Sequence, residues 1–171
     1  DRALVIAAAD RRGTIFGIYD LSQAIGVSPW HWWADVPVIP RAELHVLPGR
    51  RADRPAARYR GIFINDEDPA LRGWAEMTFG GFNRRFYARV YELILRSRGN
   101  FLWPAMWGKS LYEDDPGNVE LADRMGIVIG TSHHEPLMRA HVDWEHHGEG
   151  PWDYVRNGER LRAFWREGLG R

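Results

Sequence analysis

A chain of 171 residues with 44% hydrophobic content suits one globular domain with a real core. Lysine plus arginine and aspartate plus glutamate balance at 23 each, which gives no electrostatic case for nucleic acid or an anionic membrane. The absence of cysteine excludes disulfides and thiolate metal sites, and no apolar run reaches the ~20 residues of a membrane helix.

Nine tryptophans stand out. They can fill a core, or they can offer flat faces to sugar rings. In chain order, residues 4–9 are apolar and continuous and predict a buried strand. The chain opens almost directly on that strand, which points to a piece of a longer protein. Asp10-Arg11-Arg12-Gly13 predicts a turn, and the spacing from Thr14 to Gly26 predicts a helix. Residues 28–35 form an aromatic loop, residues 43–47 alternate like a strand, and Pro48 to Pro55 has linker composition.

From residue 60 the pattern changes. Residues 60–64 predict a strand, followed by a long polar and aromatic loop. Asn83 can cap a helix carrying Phe86, Val90 and Ile94 four apart. A strand at 100–103, a helix at 118–125 and a strand at 127–129 follow. Helices are predicted to start near Glu135-Pro136 and near Asp153, with an exposed loop at 144–150. Regular alternation of strand and helix argues parallel strands joined by crossovers. An open doubly wound sheet and a (β/α)8 barrel both fit. No glycine-rich phosphate turn follows a strand, which weakens the dinucleotide version. In a barrel, the residues that follow strands form the catalytic face.

Three strand ends carry chemistry. Asn65-Asp66-Glu67-Asp68-Pro69 offers carboxylates for acid–base work, or a capped turn before Pro69. Trp103-Pro104-Ala105-Met106-Trp107 offers aromatic walls for a sugar, or packing between barrel and loop. Lys109 and Arg139 could pair with an acidic group on a substrate. Gly130-Thr131-Ser132-His133-His134-Glu135-Pro136 is not a zinc-protease helix, because Met138 stands where the second histidine of H-E-x-x-H belongs. Its histidines suit hydrogen bonding to a substrate, or one of them is a satisfied buried residue. Asp114-Asp115-Pro116 predicts a turn and helix start.

The segments 59–67 (YRGIFINDE), 79–83 (FGGFN), 101–108 (FLWPAMWG) and 130–136 (GTSHHEP), in this order, resemble glycoside hydrolase family 115, the xylan α-1,2-glucuronidases. Residues 12–22 and 28–37 resemble the part of that family just ahead of its barrel. The resemblance implies an α/β fold: 1–47 as the end of an N-terminal α/β domain, 48–58 as a linker, and 59–171 as the first three units of a (β/α)8 catalytic barrel. It implies an inverting hydrolase that releases glucuronic acid, or its 4-O-methyl form, from glucuronoxylan or glucurono-xylooligosaccharides. Neither metal nor cofactor is expected. Glu67 is the first choice for a catalytic carboxylate and Asp66 the second, with the partner group placed on a later strand. Asn65, Trp103, Trp107, Lys109, His133, His134, Glu135 and Arg139 are expected to line the substrate site. The longer protein is expected to be secreted or periplasmic, with a homodimer as one arrangement, and 171 residues alone are expected to be inactive. Another barrel glycosidase, of β-hexosaminidase-like type, and a carbohydrate-binding relative without catalysis stay open as alternatives.

Overall fold

Three short parallel strands set the frame. The structure, a computed structural model, describes residues 3–65 and 68–170. Strands β1 (Gly61–Phe63), β2 (Phe101–Trp103) and β3 (Val128–Ile129) lie in the order β1-β2-β3. Gly61 pairs with Phe101 and Phe63 with Trp103, while Phe101 pairs with Val128. Parallel pairing is what helical crossovers between successive strands require. Gly61 is needed for this register, because a Cβ there would run into the Phe101 carbonyl. Asn100 extends the pairing with its side chain: Oδ1 accepts from Arg60 N at 2.9 Å, and Nδ2 donates to Arg58 O at 2.9 Å.

The helices are α1 (Arg11–Ala24), α2 (Ala70–Phe79), α3 (Arg84–Arg96), α4 (Leu111–Asp114), α5 (Gly117–Met125), α6 (His141–His147) and α7 (Tyr154–Gly168). The expected helix after Asn83 is α3, and the Asn83 side chain accepts from the Arg85 and Phe86 amides. Its buried stripe, Phe86, Tyr87, Val90, Tyr91, Ile94 and Leu95, meets Leu102 of β2 and Ile127 ahead of β3 in the main core. α5 ends at left-handed Gly126, as the sequence predicts. Asp115 accepts from the Gly117 amide and from Arg84, which fixes the start of α5 to the start of α3.

Several sequence expectations are corrected. Residues 4–9 and 43–47 form no ladder, and no strand among the described residues lies beside them. Instead, Ile6 and Ala8 run back against Gly17 and Gly13 of α1. The expected turn at 10–13 is the first turn of α1, capped by Asp10, whose carboxylate accepts from Gly13 N at 2.7 Å. The expected long loop after β1 contains α2, whose Leu71, Trp74, Ala75 and Phe79 pack on the core. The helix expected at Pro136 is a single 3-10 turn, Pro136–Met138, with Leu137 in the left-handed region. Thr131 Oγ1 donates to the Glu135 carbonyl at 2.6 Å, taking an acceptor that a helix would use. The loop expected at 144–150 is largely α6, because Trp144 is buried against Phe164 and Leu161 of α7.

α1 covers one side of α3. Ile15, Phe16 and Tyr19 pack on the main core, and the Arg96 guanidinium lies 4.4 Å from the Tyr19 ring centre. Trp33 Nε1 donates to Arg89 O at 3.2 Å. Residues 35–60 are without helix or ladder and almost wholly exposed. Ion pairs tie this stretch down: Arg51 to Asp20 at 3.1 Å, and Asp53 to Arg98 at 3.2 Å, with Arg98 also paired to Asp20.

Candidate functional site at the C-terminal edge of the sheet

Because the strands are parallel, all three release their chains at one edge. Asn65 emerges there from β1 and is exposed. Asp66 and Glu67, the expected catalytic carboxylates, lie outside the described residues.

From β2 come Trp103 and Trp107, 39% and 54% exposed. These contrast with Trp32, Trp33 and Trp74, which pack against one another and against Phe79 and Phe86, edge-on or tilted. The split answers the question composition raises: one group of tryptophans builds core, and the strand-end pair faces solvent. Trp103 rests edge-on against Phe63 of β1 at 5.6 Å. Gly130, just past β3, makes room for it. A Cβ at that position would sit 2.6 Å from the Phe101 ring and 2.8 Å from the Trp103 indole nitrogen.

From β3 comes the loop 131–135. The Glu135 amide donates to Ser132 O at 3.0 Å, and Ser132 Oγ donates to Met106 Sδ, which clips this loop to the one after β2. The result brings His134 against Trp107, with ring centres 5.0 Å apart, and His133 against His134 at 4.2 Å. Both histidines are exposed. Two imidazoles beside an indole face give hydrogen-bonding groups next to an apolar platform, the pairing that a sugar ring uses.

Glu135 behaves differently from its neighbours. It is 3% exposed, and its Oε2 has no hydrogen-bond partner among the described residues. Burial pushes its carboxyl up to about 7, and the charge of Asp143 acts in the same direction. A carboxyl poised there carries a proton part of the time at neutral pH. Arg139 is also buried, at 7% exposure. Its guanidinium stacks 3.8 Å from the Phe164 ring centre and lies 3.9 Å from the Asp143 carboxylate, so it is spent on joining the loop to α7. Lys109 is half-buried, with Nζ 4.0 Å from Glu76 of α2.

The structure therefore gathers Trp107, His133 and His134, with Trp103 on the adjacent strand end, and turns Arg139 and Glu135 inward. Sequence reading missed Gly130 and Met106 as supports. A glycine directly after a strand is the one signal that could have marked the first. A cleft of about 240 Å³, lined by Asp10, Arg11, Arg12, Asp123 and residues 126–128, opens on the N-terminal side of β3, away from this edge.

Comparison with curated proteins gives no match. Among solved structures, the chain is similar to BtGH115A, described as a family GH115 4-O-methyl-α-glucuronidase with specificity for decorated arabinogalactans. The two are 39% identical with a TM-score of 0.86, over 94% of this chain and 22% of that one. The chain thus spans about a fifth of the length of that structure, and shares its mixed helix and parallel-sheet fold. The model of glycosyl hydrolase family 115 matches residues 52–171, the stretch that holds all three strands and the loops at their C-terminal edge. With 120 of 171 residues inside that match (171 − 52 + 1), the chain belongs to glycosyl hydrolase family 115.

Proposed function

We propose that this chain contributes the opening units of a (β/α)8 barrel, residues 59–171, to an inverting α-glucuronidase that removes glucuronic acid, or its 4-O-methyl form, from glucuronoxylan. The carrying observation is the shared strand edge that presents Trp103, Trp107, His133 and His134 together. The indoles take the apolar face of the sugar. The histidines hydrogen-bond its hydroxyls or its carboxylate.

Glu67, with Asp66 second, acts as a catalytic carboxylate, a role taken from the sequence that follows β1. Inversion places the acid and base about 6.5–9.5 Å apart with a water between them. The second carboxyl comes from a later strand end, so residues 1–171 alone would not turn over substrate. Asn65 and Lys109 border the same edge. Glu135 and Arg139 support the pocket from inside. The polymer carrying the uronate is the point on which the neighbour, named for decorated arabinogalactans, offers a different answer from xylan.

The test is release of the uronic acid by the intact protein, offered glucuronoxylan and arabinogalactan side by side. Glu67→Gln should lower kcat on the preferred polymer by about 10²–10⁴-fold with KM little changed. Proton NMR of the first product should show the β anomer. Undiminished activity in both Glu67→Gln and Asp66→Asn would remove the assignment, and a first-formed α anomer would exclude inversion.

A further inference from the structure

Away from the sugar-facing edge, a second histidine pair has a partner that the sequence does not reveal. α6 ends in His146 and His147, and both side chains converge on Glu113 of α4, 33 residues earlier. His146 Nδ1 lies 3.3 Å from Glu113 Oε2, and His147 Nε2 lies 3.0 Å from Glu113 Oε1. One ligand atom from each of the three residues falls within 4.8 Å of the other two. We infer that Glu113, His146 and His147 form a binding site for a divalent transition-metal ion of the zinc type, joining α4 to α6.

Chemistry and support both favour this reading. Two imidazoles and one carboxylate are ligands suited to zinc and its neighbours, whereas magnesium and calcium prefer all-oxygen shells. Bonds of roughly 2.0–2.1 Å place tetrahedral ligand atoms about 3.4 Å apart. Glu113 offers one carboxylate oxygen to each histidine at 3.3 and 3.0 Å, close to that separation. The imidazoles are about 60% exposed, so an ion can reach them and water can complete its shell. The backbone under the ligands is anchored. Leu111 of α4 is buried and its carbonyl accepts from Asn118 Nδ2 at 3.0 Å. Trp144 of α6 is buried and its indole donates to Gly150 O at 3.2 Å. Consecutive histidines on a helix usually diverge; here the second is the last residue of α6, which lets both reach one carboxylate. No reaction step is assigned to this ion. It would act as a clip between the loops that follow β2 and β3.

The probe is zinc chloride, titrated calorimetrically at pH 7.5 into the intact, untagged, chelator-treated protein, alongside the His146→Ala/His147→Ala variant and Glu113→Gln. Wild type should take up zinc with a Kd in the micromolar range, and each variant should bind at least about tenfold more weakly. Zinc should also raise the Tm of wild type and leave that of the double variant unmoved. Circular dichroism of the variants checks that substituting the exposed histidines and the partly buried Glu113 leaves the fold intact. Wild type that binds no zinc below about 1 mM, or variants weakened by less than tenfold, would overturn the site.

Discussion

Glu135 shows how one residue can carry a pH dependence for the whole chain. Its carboxyl has an ordinary value of 4.5 and is pushed up to about 7, first by burial. The folded state therefore holds the proton more tightly than the unfolded state. This contribution to stability is fully present below about pH 4.5 and is lost as pH rises through about 7. The gap corresponds to on the order of 3 kcal/mol. Asp114, raised mainly by burial, slopes in the same direction. Urea denaturation at pH 5 and pH 8 should show wild type losing most of that amount, while Glu135→Gln loses less, with Asp114 still sloping in the same direction, and is the more stable protein at pH 8. Parallel pH slopes in the two proteins would show that Glu135 is not the group responsible. The sequence announces Glu135 only as a carboxylate beside two histidines. Its burial depends on the Thr131 and Ser132 hydrogen bonds and on the packing of α7, which no local spacing encodes.

At the scale of elements, Asn118 is a joint between three pieces. It is fully buried in α5, and its Nδ2 donates to Phe82 O at 3.2 Å and to Leu111 O at 3.0 Å. Its own carbonyl accepts from the Tyr91 hydroxyl of α3 at 3.2 Å. Asn118→Leu keeps the volume and strands two buried carbonyls without donors. The expected loss is about 2–4 kcal/mol, read as a lower urea midpoint with unchanged slope; a change under about 0.5 kcal/mol would mean water or a backbone shift replaces the amide. The elements themselves were unequally legible. α3 declared itself through the Asn83 cap and a clean apolar stripe, and α7 through Asp153. The three strands were readable from short apolar runs, each followed by polar or aromatic residues. α2 was hidden, although Leu71, Trp74, Ala75 and Phe79 have helical spacing, because Gly73 interrupts the stripe and a cluster of turn residues precedes it. Residues 4–9 misled in the opposite direction: an apolar run becomes a strand only where another strand satisfies its backbone, and here it lies along α1. At the site, the strand-end positions of Trp103, Trp107, His133 and His134 were readable, whereas the inward turn of Arg139 toward Phe164 required the tertiary partner.

The whole molecule contains two cores of unequal weight. The larger spans the sheet, α2, α3 and α5, with α1 against its side. The smaller is built from Trp144, Leu161 and Phe164, with Trp165 at its margin. α7 is interrupted at Asn157, whose backbone leaves helical geometry while its side chain donates to Glu149 O and Pro151 O. The α6–α7 unit meets the rest through polar and edge contacts more than through shared core: Arg139 stacks on Phe164, Gly168 packs closely on the Leu137 carbonyl, and His146 and His147 pair with Glu113 of α4. Apolar burial scales with the stability of a unit, so this smaller core should open well before the larger one. Native-state hydrogen exchange in low urea should then resolve two classes of amides. Those of α3 and β2 should exchange only through global unfolding. Those of α7 should exchange at a lower free energy with a smaller urea dependence. Opening of α7 would release Arg139 while leaving β3 paired through the Leu102 carbonyl and the Gly130 amide, so the Trp103 face of the site would persist in the opened state. If the α7 and α3 isotherms coincided at every urea concentration, the two cores would be one cooperative unit, and the site could not loosen on its α7 side alone.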